Sequence, residues 1–141
     1  MMIPYLEDFK HWGFHLPRLT SSRVSPWLIL TELYEITRQF FIRSKNSDIH
    51  ILPHLPAELH CGKLVRVKEG HLTFHLEWTK KLIRRMIVFA SKNTTVFLHF
   101  QNNVKRFRVR TSREGAGKMH ENNSEFVLKK NKNYFFDRFE K

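Results

Sequence analysis

A strict alternation of apolar and polar residues in the middle of the chain constrains its fold more than any other feature. Apolar side chains recur at Leu72, Phe74 and Leu76, and polar side chains stand between them. A period of two places the two sets on opposite faces of an extended strand, so the pattern predicts a strand with one buried face. Three further apolar residues, Leu64, Val65 and Val67, precede a turn at Gly70, and the segment is therefore typical of a β-hairpin.

A helix is predicted on the N-terminal side of this hairpin. Ser25 precedes Pro26, which is the favoured order of an N-cap residue and a first helical residue. The apolar residues that follow recur at spacings of three and four, at Ile29, Leu33, Ile36 and Phe40. This spacing predicts a helix over residues 26–43 that buries one face.

A second, basic helix is predicted over residues 77–92. Its apolar face consists of Trp78, Leu82, Met86 and Phe89, and its basic face of Lys80, Lys81, Arg84 and Arg85. Residues 96–100 fit either a strand or a helix extension. Residues 104–111 predict a strand with Phe107 and Val109 on one face and arginines on the other.

These elements predict a small α+β domain over residues 25–112. A β-hairpin, an amphipathic basic helix and a further strand are expected to pack on the N-terminal helix. The length of 141 residues and the 41% of hydrophobic residues suit one such core. The aromatic-rich residues 1–24 are interpreted as an arm, and residues 113–141, rich in Gly, Asn and Lys, as a basic flexible tail.

The charge distribution indicates a polyanionic partner. The chain has 25 Lys and Arg against 13 Asp and Glu, a formal net charge of +12, and no acidic residue stands between Glu77 and Glu114. Basic side chains of one sign repel one another unless a polyanion such as nucleic acid neutralises them. The residues predicted to bind nucleic acid are Lys80, Lys81, Arg84, Arg85, Lys105, Arg106, Arg108 and Arg110.

Other functional classes are disfavoured by the residue types present. With Cys61 as the one cysteine, no internal disulfide forms, which favours a reducing compartment, the cytoplasm or an organelle matrix. No apolar run approaches the roughly 20 residues of a membrane span, so no membrane partner is expected. His71 and His75 on a strand lie about 13 Å apart, too far for one metal ion. Because the carboxylates are scattered and no phosphate-binding Gly loop is present, we expect no enzyme, no metal and no cofactor.

A series of weak motifs over residues 30–111 occurs in a recognisable order. They are Leu55-Pro56, Leu59-His60-Cys61, Gly70-His71-Leu72-Thr73-Phe74, Trp78, Leu82 followed by Arg84 and Arg85, and Val104-Lys105-Arg106-Phe107-Arg108-Val109-Arg110. In order and spacing they resemble the DciA family of bacterial replicative-helicase loaders. The resemblance implies a KH-like fold, DNA binding and contact with the replicative helicase.

An alternative function is a structural RNA-binding component of a ribosome or another ribonucleoprotein assembly. In that interpretation the aromatic arm and the tail rich in Lys and Asn thread into the assembly. The sequence leaves DNA and RNA open as partners, and it leaves the oligomeric state open.

Overall fold

The computed structural model describes residues 25–141, and the chain divides into two compact units, Met1–Glu35 and Ile36–Lys141. The predicted arm, residues 1–24, lies outside the described residues. One helix, α1 (Pro26–Gln39), supplies the described part of the first unit and ends within the second. Ten strands follow: β1 (Ile42–Lys45), β2 (Asp48–Ile51), β3 (Cys61–Glu69), β4 (Leu72–Thr79), β5 (Leu82–Ala90), β6 (Thr94–His99), β7 (Arg106–Arg110), β8 (Lys118–Glu121), β9 (Ser124–Leu128) and β10 (Lys132–Glu140).

Helix α1 begins where the capping signal predicts. The Ser25 carbonyl accepts a hydrogen bond from the Leu28 amide at 2.9 Å, which confirms Ser25 as the N-cap. The helix ends at Gln39 rather than at residue 43, because the chain becomes extended from Ile42. The prediction of a buried face is wrong, since no residue of α1 is buried.

The strands form two sheets. The smaller sheet has the order β1-β2-β6-β9, and the larger has the order β3-β4-β5-β10-β7-β8. Neighbouring strands are antiparallel throughout, except for the parallel pair β2 and β6.

The inward faces of the two sheets share one hydrophobic core. Phe126 of the smaller sheet contacts Phe107 and Phe136 of the larger, with ring centroids 5.8 and 5.7 Å apart. Strands in the middle of the sheets bury alternate residues, as in Leu72, Phe74, Leu76 and Trp78 of β4. The edge strands β3 and β8 bury none. The second unit is therefore a β-sandwich, in which each sheet keeps an outward face for solvent or ligands.

The expectation of an α+β, KH-like domain is wrong. The described chain contains ten strands and one helix, and that helix buries no residue. The KH-like fold that the family resemblance implied is wrong for the same reason. The β-hairpin is confirmed as β3 and β4, which turn at Gly70 with a φ of 56°. Residues 96–100 belong to strand β6 and its end, and the strand predicted at residues 104–111 is β7.

The predicted basic helix over residues 77–92 is also wrong, because this segment is the end of β4, a two-residue turn and β5. The pairing of β4 with β5 shifts between Glu77 and Trp78, so Arg84 is an extra residue in β5. This bulge separates the buried residues Ile83 and Met86 by three positions. An apolar spacing of three imitates a helix, although the backbone is a strand.

Residues 113–141, expected to form a flexible tail, form three strands. Strand β10 lies between β5 and β7 inside the larger sheet and buries Tyr134 and Phe136. Among the Asn residues that suggested a tail, Asn123 and Asn131 belong to turns and adopt positive φ values of 62° and 58°. Asn tolerates this left-handed conformation, so polar turns alternate here with aromatic strands.

Candidate nucleic-acid interface

The structure distributes the predicted nucleic-acid-binding residues over three places. Lys80 and Lys81 form the turn between β4 and β5, and Arg84 and Arg85 lie at the start of β5. The remaining basic residues precede or belong to β7: Lys105, Arg106, Arg108 and Arg110.

The arginines of β7 have acidic partners from β10. Arg108 donates to both carboxylate oxygens of Asp137, at 2.7 and 3.0 Å, and Arg110 donates to Oδ2 at 2.5 Å. Arg106 donates to Glu140 at 2.7 Å. The hydrogen bond from Arg108 is the largest cause that lowers the pKa of Asp137 below its ordinary value of 3.8. The sequence between Glu77 and Glu114 contains no acidic residue, but in the fold the arginines of β7 lie beside carboxylates of β10.

A second basic region lies on the outward face of the smaller sheet. Arg43 of β1 lies opposite His50 of β2, and His50 lies opposite His99 of β6. The two imidazole rings stack, with centroids 4.6 Å apart and planes 17° from parallel. His99 is held on both sides, since Nδ1 lies 2.8 Å from an Asn123 oxygen and Nε2 lies 3.1 Å from an Asp48 oxygen.

Arg43, His50 and His99 line a groove of about 760 Å³, which we call the histidine groove. Its polar lining consists of Arg43, Lys45, His50, His54, Lys81, His99, Gln101, Asn102 and Asn103. No carboxylate is among the described residues that line it. Across residues 25–141, no ion pair engages Arg43, Lys45 or Lys81. The groove therefore presents three cations that take part in no described ion pair, and the nearest carboxylate in the strand register is Asp48, which lies opposite Lys45 and contacts His99.

Lys81 is held at this groove by the turn that contains it. Lys80 and Lys81 both have positive φ values, 51° and 60°. The Lys81 amide donates to the His60 carbonyl at 2.9 Å, and Gln101 Nε2 donates to the Lys81 carbonyl at 2.6 Å. The side-chain oxygen of Gln101, Oε1, accepts a hydrogen bond from the backbone N–H of Ile83. A left-handed backbone is strained for lysine. We infer that these hydrogen bonds keep the turn in this conformation.

One histidine of the groove, His50, carries little charge at neutral pH. Burial lowers the pKa of His50 below its ordinary value of 6.5, and the neighbouring His99 lowers it further. Asp48 acts in the opposite direction, and Arg43 adds a smaller lowering effect. His50 is therefore neutral at pH 7 and gains its proton in acid.

The outward face of the larger sheet carries another groove, of about 620 Å³, which we call the arginine groove. Its charged lining consists of Lys63, Glu77, Arg85, Arg108, Arg110, Arg113 and Asp137. Three of the predicted site residues are in this set, whereas Lys81 lines the histidine groove. Lys105 and Arg106 lie elsewhere, beside Glu121 and Glu140.

Sequence reasoning missed most of the histidine groove. Arg43 lies at the end of the predicted helix and Lys45 lies beyond it. His50 and His99 are too far apart in the sequence to suggest a shared site. The local signal was the alternation of Ile49, His50 and Ile51, in which the isoleucines are buried and the histidine faces outward. A pattern of three residues is too short to establish a strand on its own.

The described residues, 25–141, hold no group of three or more side chains suited to bind a metal ion. In the same part of the chain, no helix is long and apolar enough to cross a membrane. The sequence matches no protein-family model, and no curated protein matches it significantly.

Proposed function

We propose that this chain is a non-catalytic nucleic-acid-binding protein whose histidine groove contacts the phosphate backbone. One observation carries the proposal: three cations without ion-pair partners converge on a groove whose described lining contains no carboxylate. A net charge of +12 adds a long-range attraction for polyanions.

Arg43, Lys45 and Lys81 take part in no described ion pair, and this affects how strongly they can bind phosphate. Arg43 and Lys45 are exposed on β1, and Lys81 is exposed on its turn. A phosphate that binds them displaces counterions and breaks no internal ion pair, so the release of counterions contributes fully to affinity. Arg43 also offers the planar pair of donors that matches two phosphate oxygens.

The amides at the edge of the groove supply uncharged donors and acceptors. Gln101 is committed to the Lys81 turn, but Asn102 and Asn103 are exposed. Amide side chains can bind sugar hydroxyls or base edges in addition to phosphates. The groove thus combines contacts to the backbone with a limited capacity to read bases.

The arginines of β7 are a weaker basis for the same function. Arg106, Arg108 and Arg110 each bind a carboxylate of β10, so phosphate must compete with Asp137 or Glu140. We therefore assign the main contact to the histidine groove. Helicase loading is not part of the proposal, because the resemblance that implied it also implied the KH-like fold.

The test is a salt titration of binding to single-stranded DNA, duplex DNA and structured RNA. The triple variant R43Q/K45Q/K81Q should bind more weakly. For three lost phosphate contacts, its slope of log affinity against log salt should flatten by about 2 on single-stranded DNA and by about 2.7 on duplex DNA. The matched control is K92Q/K130Q/K132Q, which removes the same charge from exposed lysines outside both grooves. Equal losses in the two variants would contradict the assignment of the groove.

The second candidate function is a structural component of a ribonucleoprotein assembly. It is favoured by α1, where Trp27, Leu28 and Tyr34 are 78%, 52% and 59% exposed. Large exposed apolar side chains on one helix are typical of surfaces that bind other macromolecules. A preference for structured RNA over both DNA forms in the same titration favours this candidate.

A further inference from the structure

The arginine groove differs from the histidine groove in its charge arrangement. Lys63 and Arg85 lie opposite Glu77 in the strand register, one on each side. Asp137 lies opposite Arg108. Five cations and two carboxylates line the groove, a surplus of three positive charges over a compact area.

The carboxylate of Asp137 leaves this surplus largely available. Its two oxygens accept three hydrogen bonds from Arg108 and Arg110, so its negative charge offsets these two guanidinium groups and leaves the other cations unpaired with it. The lowered pKa of Asp137 has the same origin and keeps it ionised at neutral pH. The two guanidinium groups are thereby held in place before any ligand arrives, which reduces the entropy lost on binding.

One buried donor in this cluster has no partner. The Nε atom of Arg110 is buried and makes no hydrogen bond among the described residues. Its terminal nitrogens bind Asp137 and the Arg113 carbonyl. A buried N–H group without an acceptor is costly, and such groups are rare in folded proteins. An oxyanion in the groove would supply the missing acceptor once the Arg110 side chain turns its Nε–H toward the groove.

The groove also has an apolar surface beside the charges. Phe135 of β10 lies opposite Ile87 of β5, and both side chains are half-buried on the outward face. A site of this size with a few convergent charges and an apolar wall is typical of small-molecule binding. The ligand is therefore expected to carry both an oxyanion and an apolar part.

From these contacts we propose that the arginine groove binds a phosphate monoester of a small molecule. The phosphate contacts the guanidinium groups of Arg85 and Arg113 and the Nε–H of Arg110, the nitrogen of Arg110 that binds neither Asp137 nor the Arg113 carbonyl. The apolar remainder packs on Ile87 and Phe135. The dianionic phosphate matches the charge surplus, and guanidinium groups bind its oxygens in pairs. This site lies outside the histidine groove and does not depend on nucleic-acid binding.

The test uses phenyl phosphate and inorganic phosphate as probes on the full chain at low salt. Phenyl phosphate should bind more tightly than inorganic phosphate, and it should shift the Nε–H resonance of Arg110 in a nitrogen-proton spectrum. The substitutions Arg85→Gln and Arg113→Gln remove charges that take part in no described ion pair, so the fold is retained. Each substitution should lower the affinity for phenyl phosphate about tenfold, which is the effect of losing one charge-assisted hydrogen bond.

Two controls make the result specific. Lys92→Gln removes an exposed charge outside the groove and should leave phenyl phosphate affinity unchanged. Phe135→Leu should reduce the advantage of phenyl phosphate over inorganic phosphate, because the aromatic contact is lost. The proposal is overturned if the Arg110 resonance does not move at saturation, or if Lys92→Gln weakens binding as much as Arg113→Gln. Both results are independent of whether the chain binds nucleic acid.

Discussion

Lys80 and Lys81 occupy both central positions of a two-residue hairpin turn, where Asn and Gly are strongly preferred. Lysine has no local hydrogen bond that compensates its left-handed backbone, which costs roughly 1 kcal/mol per residue. Strain of this kind persists where the surrounding structure imposes it, often at a binding site. Here the turn carries Lys81 into the histidine groove.

The two lysines are expected to respond differently to relief of this strain. Lys80→Asn should stabilise the fold by about 1 kcal/mol and leave nucleic-acid affinity nearly unchanged, because Lys80 does not line the groove. Lys81→Gly should also stabilise the fold, but it should weaken binding because a groove cation is lost. Urea unfolding and the salt titration measure the two effects separately. Lower stability in both variants would show that the turn is not strained.

At the scale of elements, β10 is joined to β7 by the ion pairs of Asp137. Its pKa is lowered in the folded chain, so the stabilisation is fully present above the ordinary value of 3.8 and is lost as the pH falls through the folded pKa. Asp137→Asn should cost about 1 kcal/mol at pH 7, because the pair is partly solvated. Urea unfolding from pH 7 to pH 2 should show this difference shrink in acid. A difference that stays constant with pH would exclude the ion pair as its cause.

The elements that the sequence predicts correctly are those encoded by neighbouring residues. The start of α1 depends on Ser25 and Pro26, and the first hairpin depends on unbroken alternation around Gly70. The bulge at Arg84 breaks that alternation, and β5 therefore has the spacing of a helix. The sequence does not reveal strand β10, because the turns on its N-terminal side have the composition of a flexible tail.

The candidate sites are harder to predict because each assembles from distant parts of the chain. Arg43, Lys81 and His99 meet in one groove although they come from β1, the β4–β5 turn and β6. Asp137 neutralises Arg108 from 29 residues away. A local charge count identifies neither the uncompensated cations nor the compensated arginines, since both depend on which strands become neighbours.

For the whole molecule, the sandwich separates its positive charge into two outward faces, and the pKa of His50 makes one of them sensitive to pH. In the arginine groove, Arg108 holds the pKa of Asp137 below its ordinary value, so this carboxylate stays ionised through the neutral range. The histidine groove gains charge in acid through His50, whose pKa is held below its ordinary value mainly by burial. Nucleic-acid binding should therefore strengthen as the pH falls from 7.5 to 5.5.

The sign follows from the groups that face His50. Burial, His99 and Arg43 lower its pKa, Asp48 raises it, and a bound phosphate favours the protonated ring. The slope of log affinity against log salt should steepen by roughly 0.7 for each histidine that binds phosphate. The variant H50N/H99N should lose most of this pH dependence and retain binding at pH 7.5 through the three cations of the groove. Equal pH dependence in the variant and the parent chain would place the phosphate contacts outside the histidine groove.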